Sequence, residues 1–236
     1  MADPVFLITG ASRGIGAAVA RRAAAAGYRL ILTGRTPEPL AALADELGGP
    51  SRALARPADV TDWTALTGVV AEAEERFGRL DVVLANAGAS VVTSFLGDDG
   101  DGGAPPEAWR DLVLTNVYGP ALTARATLPA LRATKGHLLL TGSAAGRGVR
   151  PGNLYAATKW AVTGLAQAIR AECVGTGIRV TLLQPGLVDT GAIPPHRRDD
   201  PKLDPDDVAA AVLYAIGQPP HVDVNEIIVR PVGQRN

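Results

Sequence analysis

A single cysteine, Cys173, leaves the chain unable to close an internal disulfide, and a reducing compartment is the natural setting for it. The three histidines lie far apart and neither HExxH nor CxxC occurs, so no metal site is expected. An excess of one charge is also missing. A formal net charge of −1 provides no electrostatic footprint for nucleic acid or an anionic membrane. No apolar stretch approaches the length of a transmembrane helix. The short apolar run at 5–8 follows Asp3 rather than a basic region, unlike a signal peptide. These absences predict a cytoplasmic protein that binds neither nucleic acid nor membrane. With no solenoid-type repeat and no interdomain linker, residues 1–236 are expected to form one α/β domain.

What is present is alternation. Strand-like apolar runs at 5–9, 29–34, 51–56, 82–85, 136–141, 178–184 and 226–229 alternate with alanine-rich helical segments at 14–26, 37–47, 61–77, 107–131, 154–174 and 205–216. This order predicts βαβ units and a doubly wound, Rossmann-type parallel sheet of about seven strands, with helices on both faces through right-handed crossovers. The stretch 97–106, GDDGDGGAPP, is polar, acidic and glycine-rich, and reads as a flexible surface loop.

The first strand runs directly into Thr9-Gly10-Ala11-Ser12-Arg13-Gly14-Ile15-Gly16, followed by a helix. A glycine turn between strand and helix lets backbone approach a pyrophosphate, and the helix N-terminus adds N–H groups and partial positive charge. Gly10, Ser12, Arg13, Gly14, Ile15 and Gly16 are therefore candidate dinucleotide contacts. No lysine follows in P-loop fashion, which disfavours a Walker-type site. Asp59-Val60 is expected to end the third strand and Asn86-Ala87-Gly88 the fourth, on the carboxyl edge where open α/β sheets bind ligands.

Ser143 follows the fifth strand on that same edge, and Tyr155 and Lys159 open the next helix one turn apart. At i and i+4 they share a face, about 5–6 Å apart at Cβ. That spacing suits a phenol acting as acid and base beside a cation that favours the phenolate, helped by a bound nicotinamide cation, while Ser143 holds the reacting oxygen. The same pair also suits a plain amphipathic edge. A serine hydrolase is disfavoured, because Gly142-Ser143-Ala144-Ala145-Gly146 is not GxSxG.

Together, the Thr9-to-Gly16 turn, Asn86-Ala87-Gly88, Asn116, Ser143, Tyr155-x3-Lys159 and Pro185-Gly186 resemble the short-chain dehydrogenase/reductase family, in its order and across nearly the whole chain. The resemblance implies an oxidoreductase acting on a small-molecule carbonyl or alcohol. It implies that Asn116 completes a tetrad, supporting a helix distortion and a proton-relaying water, and that Lys159 contacts the nicotinamide ribose. Asp59 and Val60 would bracket the adenine, Asn86 to Gly88 would line the middle of the cofactor, and Val188 and Thr190 beyond Pro185-Gly186 would orient the carboxamide. A homo-oligomer, tetramer or dimer, is also implied. The ending Asn225-Glu226-Ile227-Ile228-Val229-Arg230-Pro231 resembles a subset that includes reductases and hydroxy-acid dehydrogenases.

NADP(H) is the expected cofactor. NAD-selective sites place a carboxylate after the second strand, whereas here that strand ends in Gly34-Arg35, and Arg13 sits in the glycine turn. A catalytically silent NADP(H) sensor and a structural oligomerisation protein are the rival classes. Cys173, His137, His221, Trp63, Trp109 and Trp160 read as structural. His196, Arg197 and Arg198, in the segment that covers substrate in this family, read as a solvated basic cluster or an anion contact.

Overall fold

The computed structural model describes residues 3–97, 103–149, 151–191, 193 and 197–234. Seven strands, β1 (Val5–Thr9), β2 (Arg29–Gly34), β3 (Ala53–Pro57), β4 (Val82–Ala85), β5 (His137–Thr141), β6 (Arg179–Pro185) and β7 (Glu226–Val229), form one sheet in the order β3-β2-β1-β4-β5-β6-β7. Every pairing is parallel. The connections carry α1 (Gly14–Ala25), α2 (Pro37–Glu46), α3 (Trp63–Phe77), α4 (Pro106–Val113), α5 (Gly119–Thr134), α6 (Leu154–Glu172) and α7 (Pro205–Ile216).

The inner strands are buried on both faces, which is why they read as continuous apolar runs rather than as alternation. Phe6, Ile8, Leu30 and Leu32 face one layer, with α1, α2 and α7. Leu7, Ile31, Val83 and Leu138 face the other, with α3, α5 and α6. Side chains of period two thus feed two cores. Strand order reverses between β1 and β4, so a crevice opens at their carboxyl ends.

Three expectations need correction. Gly49–Ser51 form a 3-10 turn entered through Gly48 at φ 104°, so β3 begins later than expected. It ends at Pro57, which has no N–H for the ladder, and Asp59-Val60 follows the strand rather than ending it. The helix expected at 107–131 begins at Pro106, is interrupted by a π-helical turn at Leu114–Tyr118, and runs on to Thr134. Trp63 and Trp160 are 43% and 45% exposed, Trp160 Nε1 donating to Gly148 O at 3.1 Å, whereas Trp109 stacks edge-on against Phe95. Cys173 is buried at the end of α6.

Of the acidic loop, residues 98–102 lie outside the described residues. Its far flank is tethered: Ala104 N–H donates to Val92 O at 3.0 Å, and Trp109 Nε1 donates to Ala104 O at 2.7 Å. Among the described residues no helix is long and apolar enough to cross a membrane.

Candidate active site

The turn after β1 is shaped by close backbone approach. Gly10 has φ 63°, and a Cβ on it would lie 2.8 Å from Ala87 Cα. A Cβ on Gly16 would lie 2.3 Å from Gly10 O, so any side chain there would collide with the turn's own backbone. At the start of α1, Arg13 forms no side-chain cap and the first turn has no acidic residue, which leaves the partial positive charge of the helix end uncompensated. Ser12 lies beside the end of β2, its Oγ 3.8 Å from where a Cβ on Gly34 would stand. Ala11 N–H donates to Thr33 O at 3.0 Å. Arg13 and Arg35 therefore leave adjacent strand tips. Both are exposed, and among the described residues neither has an ion-pair partner.

Asn86 ties this turn to the middle of the sheet. Its Nδ2 donates to Thr9 O at 3.1 Å and to Gly10 O at 3.2 Å, while its Oδ1 accepts from Thr141 Oγ1 at 3.3 Å. Thr9 Oγ1 accepts from the N–H groups of Asn86 and Ala87, at 2.9 and 3.1 Å. Thr190 closes the other side: a Cβ on Gly14 would meet its Cγ2 at 3.0 Å. Val188 is buried and bridges to Leu203 beyond the loop. Gly186 N–H donates to Val229 O at 2.7 Å, just past Pro185. A cleft of about 600 Å³ runs from Ser12, Arg13 and Gly14 past Thr190 to the start of α7.

The second group lies along α6, whose start is fixed by Asn153, its side chain accepting from Ala156 N–H at 2.8 Å. Tyr155 is half-buried. Burial pushes the Tyr155 phenol up from its ordinary value, and the neighbouring Ser143 hydroxyl opposes that rise. Lys159 is only 5% exposed and burial pushes its ammonium down to about 8, so it remains mostly cationic at neutral pH. Its Nζ donates to Thr141 O at 2.9 Å and lies 5.7 Å from the Tyr155 ring centroid. No carboxylate among the described residues pairs with it.

Asn116 sits fully buried inside the π-helical turn. Its Oδ1 accepts from Ala89 N–H at 2.8 Å, and its Nδ2 donates to Ala89 O at 2.9 Å and to Thr158 Oγ1 at 3.1 Å. Gly88 lies between Asn116 and Lys159: a Cβ there would be 3.4 Å from Asn116 Oδ1 and 3.7 Å from Lys159 Nζ. The helix distortion implied by the family resemblance is thus present at Asn116.

The nominated residues therefore gather on one edge of the sheet. Asp59 is exposed and its Oδ1 accepts from Thr61 N–H and Oγ1, both at 2.8 Å, while Val60 is buried against Gly119. Both remain near β2 through Ala58 N–H to Gly34 O at 3.0 Å. Of the basic cluster, His196 lies outside the described residues, Arg197 pairs with Asp200 at 2.8 Å, and Arg198 O accepts from Lys202 Nζ. Sequence reasoning missed Thr9, Thr141 and Thr158, which hold Asn86, Lys159 and Asn116. A polar side chain at the end of an apolar strand was the available signal for Thr9, whereas Thr141 holds Lys159 through its main-chain oxygen.

The family model described as short chain dehydrogenase matches residues 4–201. An uncharacterized oxidoreductase of Staphylococcus aureus (strain USA300) is 37% identical, over 98% of this chain and 99% of its own. An alcohol dehydrogenase of the archaeon Thermococcus sibiricus, solved with 5-hydroxy-NADP, is 33% identical with a TM-score of 0.88, covering 99% of this chain and 98% of that one. A metagenomic short-chain oxidoreductase solved with NADP is 32% identical with a TM-score of 0.82, covering 99% of each. Parallel sheet, glycine turn and matching relatives lead to one statement: this chain belongs to the short-chain dehydrogenase family of oxidoreductases.

Proposed function

We propose that the protein is an NADP(H)-dependent oxidoreductase that interconverts a carbonyl and an alcohol on a small molecule, with Tyr155 as its acid and base. The observation that carries this reading is the convergence of Ser143, Tyr155 and the carboxylate-free cation Lys159 on one edge of the sheet, with Lys159 Nζ 5.7 Å from the Tyr155 ring.

The glycine turn suits a dinucleotide, because Gly10 and Gly16 let the loop close tightly on itself and the N-terminus of α1 carries no competing acid. Gly10 to Gly16, Asn86 to Gly88 and Thr190 would hold it, and Arg13 and Arg35 would receive a 2′-phosphate. Solved relatives bound to NADP or its analogue support this choice. When bound, the nicotinamide supplies or takes up hydride at the substrate carbon.

Ser143 donates a hydrogen bond to the reacting oxygen and holds it within reach of Tyr155. In reduction, Tyr155 gives its proton to that oxygen, and Lys159 stabilises the phenolate left behind. In oxidation the proton returns to Tyr155. Asn116 acts by positioning: it locks the π-helical turn to Ala89 and to Thr158, the neighbour of Lys159.

The test is coenzyme consumption, NADPH against NADH, across ketones, aldehydes, quinones, β-keto esters and sugars. Turnover with a higher kcat/KM for NADPH is expected. A preference for NADH would overturn the cofactor assignment, and NADPH binding without any turnover would favour a sensor.

A further inference from the structure

Ser143 stands at the head of a four-residue turn, Ala144–Arg147. The bonds of that turn to Ser143 are local: Ala145 N–H donates to Ser143 Oγ at 3.1 Å and Gly146 N–H donates to Ser143 O at 2.9 Å. Beyond them, Ser143 Oγ reaches Pro185 O only at 3.4 Å. A segment this short needs external anchors to hold a hydroxyl in place.

One anchor is α6, since a Cβ on Gly146 would lie 2.7 Å from Lys159 O and the turn therefore rests on that backbone. The other crosses the sheet. Arg147, the last residue of the turn, pairs with both carboxylate oxygens of Glu226, the first residue of the edge strand β7. The same carboxylate accepts from Nε2 of Gln184, which is fully buried one residue before Pro185. Gln184 Oε1 has no hydrogen-bond partner, so Glu226 alone holds that amide. Ser143, Arg147, Glu226, Gln184 and Pro185 close a ring.

We propose that the Arg147–Glu226 pair is a clamp that positions Ser143 for the reaction, and that Glu226 is a positioning residue of the site although it lies two strands away. The proposal rests on the reading of Ser143 given above. A lone ion pair with both side chains about one-third exposed contributes little. Here the carboxylate also serves a buried amide and closes a ring, which turns a weak pair into a geometric constraint. Misplacement of a reacting group by about 1 Å can cost a hundredfold in rate.

Arg147→Met and the near-isosteric Glu226→Gln, with Ser143→Ala as reference, test the clamp. Both clamp variants are expected to lower kcat about ten-fold while KM for the carbonyl changes less than about two-fold. Both should move the pH profile of alcohol oxidation to the alkaline side, as is expected of Ser143→Ala, because Ser143 no longer lowers the Tyr155 phenol. Arg147→Lys should recover part of the loss. Amide exchange should quicken across 144–147 and stay unchanged in α6. A normal pH profile and normal exchange in both variants, while Ser143→Ala shifts the profile, would overturn the clamp. If Ser143→Ala is itself silent, the reading of the site falls first, and unchanged exchange at 144–147 then removes the clamp independently.

Discussion

Arg13 and Arg35 stand at neighbouring strand tips without a carboxylate partner among the described residues, while Arg21, Arg22, Arg52 and Arg56 are all paired. Two guanidinium groups beside a helix N-terminus suit a phosphate monoester, whose charge they match, far better than a neutral ribose hydroxyl. Replacing Arg35 with Asp together with Arg13→Ser should weaken NADPH by roughly one to two orders of magnitude, the loss expected for charge-assisted hydrogen bonds of about 1.5–3 kcal/mol. NADH should become the better coenzyme, as titration with each would show. Equal NADPH affinity in wild type and variant would remove both arginines from the site. Arg35 was legible because the end of β2 is a defined place, and Tyr155 and Lys159 were legible because one helical turn separates them. Thr158 was not, since its bond to Asn116 links residues 42 apart in the chain.

Elements were legible where apolar periodicity is long, and misread where a side chain elsewhere sets the backbone. The π-helical turn at Leu114–Tyr118 exists among helix-forming residues, and no glycine or proline within it announces a break. Asn116 holds it by three hydrogen bonds to Ala89 and Thr158, and a reading of period 3.6 cannot show one inserted residue. Asn116→Leu would leave the N–H and C=O of Ala89 without these partners. A stability loss of about 1–3 kcal/mol in urea unfolding is expected, together with reduced kcat. An unchanged urea midpoint would show that the distortion stands without Asn116. The start of β3 was misplaced for a related reason: Gly48 and Gly49 adopt positive φ and delay the strand.

On the scale of the whole molecule, the parallel sheet followed from the alternation of buried runs and helices, and because every strand is parallel, every strand tip used by the site lies on one edge. The opposite end of the sheet holds a buried imidazole. His137 is fully buried there, its Nε2 bonded at 2.7 Å to Thr181 Oγ1, which itself donates to Val224 O at 2.6 Å. Thr181 thus requires the proton on Nε2, and His137 Nδ1 has no partner. Burial, then the nearby Arg179, pushes the imidazole down from 6.5 to about 3. The unfolded chain therefore binds the extra proton first. This contribution is fully present above pH 6.5 and is lost as pH falls toward about 3. His137→Gln should flatten the acid limb of stability against pH by up to about 1.4 kcal/mol per pH unit, read from urea unfolding across that window. An unaltered slope would place the acid sensitivity elsewhere.

In the proposed mechanism this shared edge works as one catalytic unit with Tyr155 as its proton donor. It is tested most directly by the steady-state turnover of Tyr155→Phe beside wild type, on the best carbonyl substrate with saturating NADPH. Removing one hydroxyl at the surface of a packed helix should leave the fold and NADPH affinity nearly intact and lower kcat by about 10²–10⁴-fold. Turnover close to that of the wild type, at equal NADPH affinity, would contradict the account.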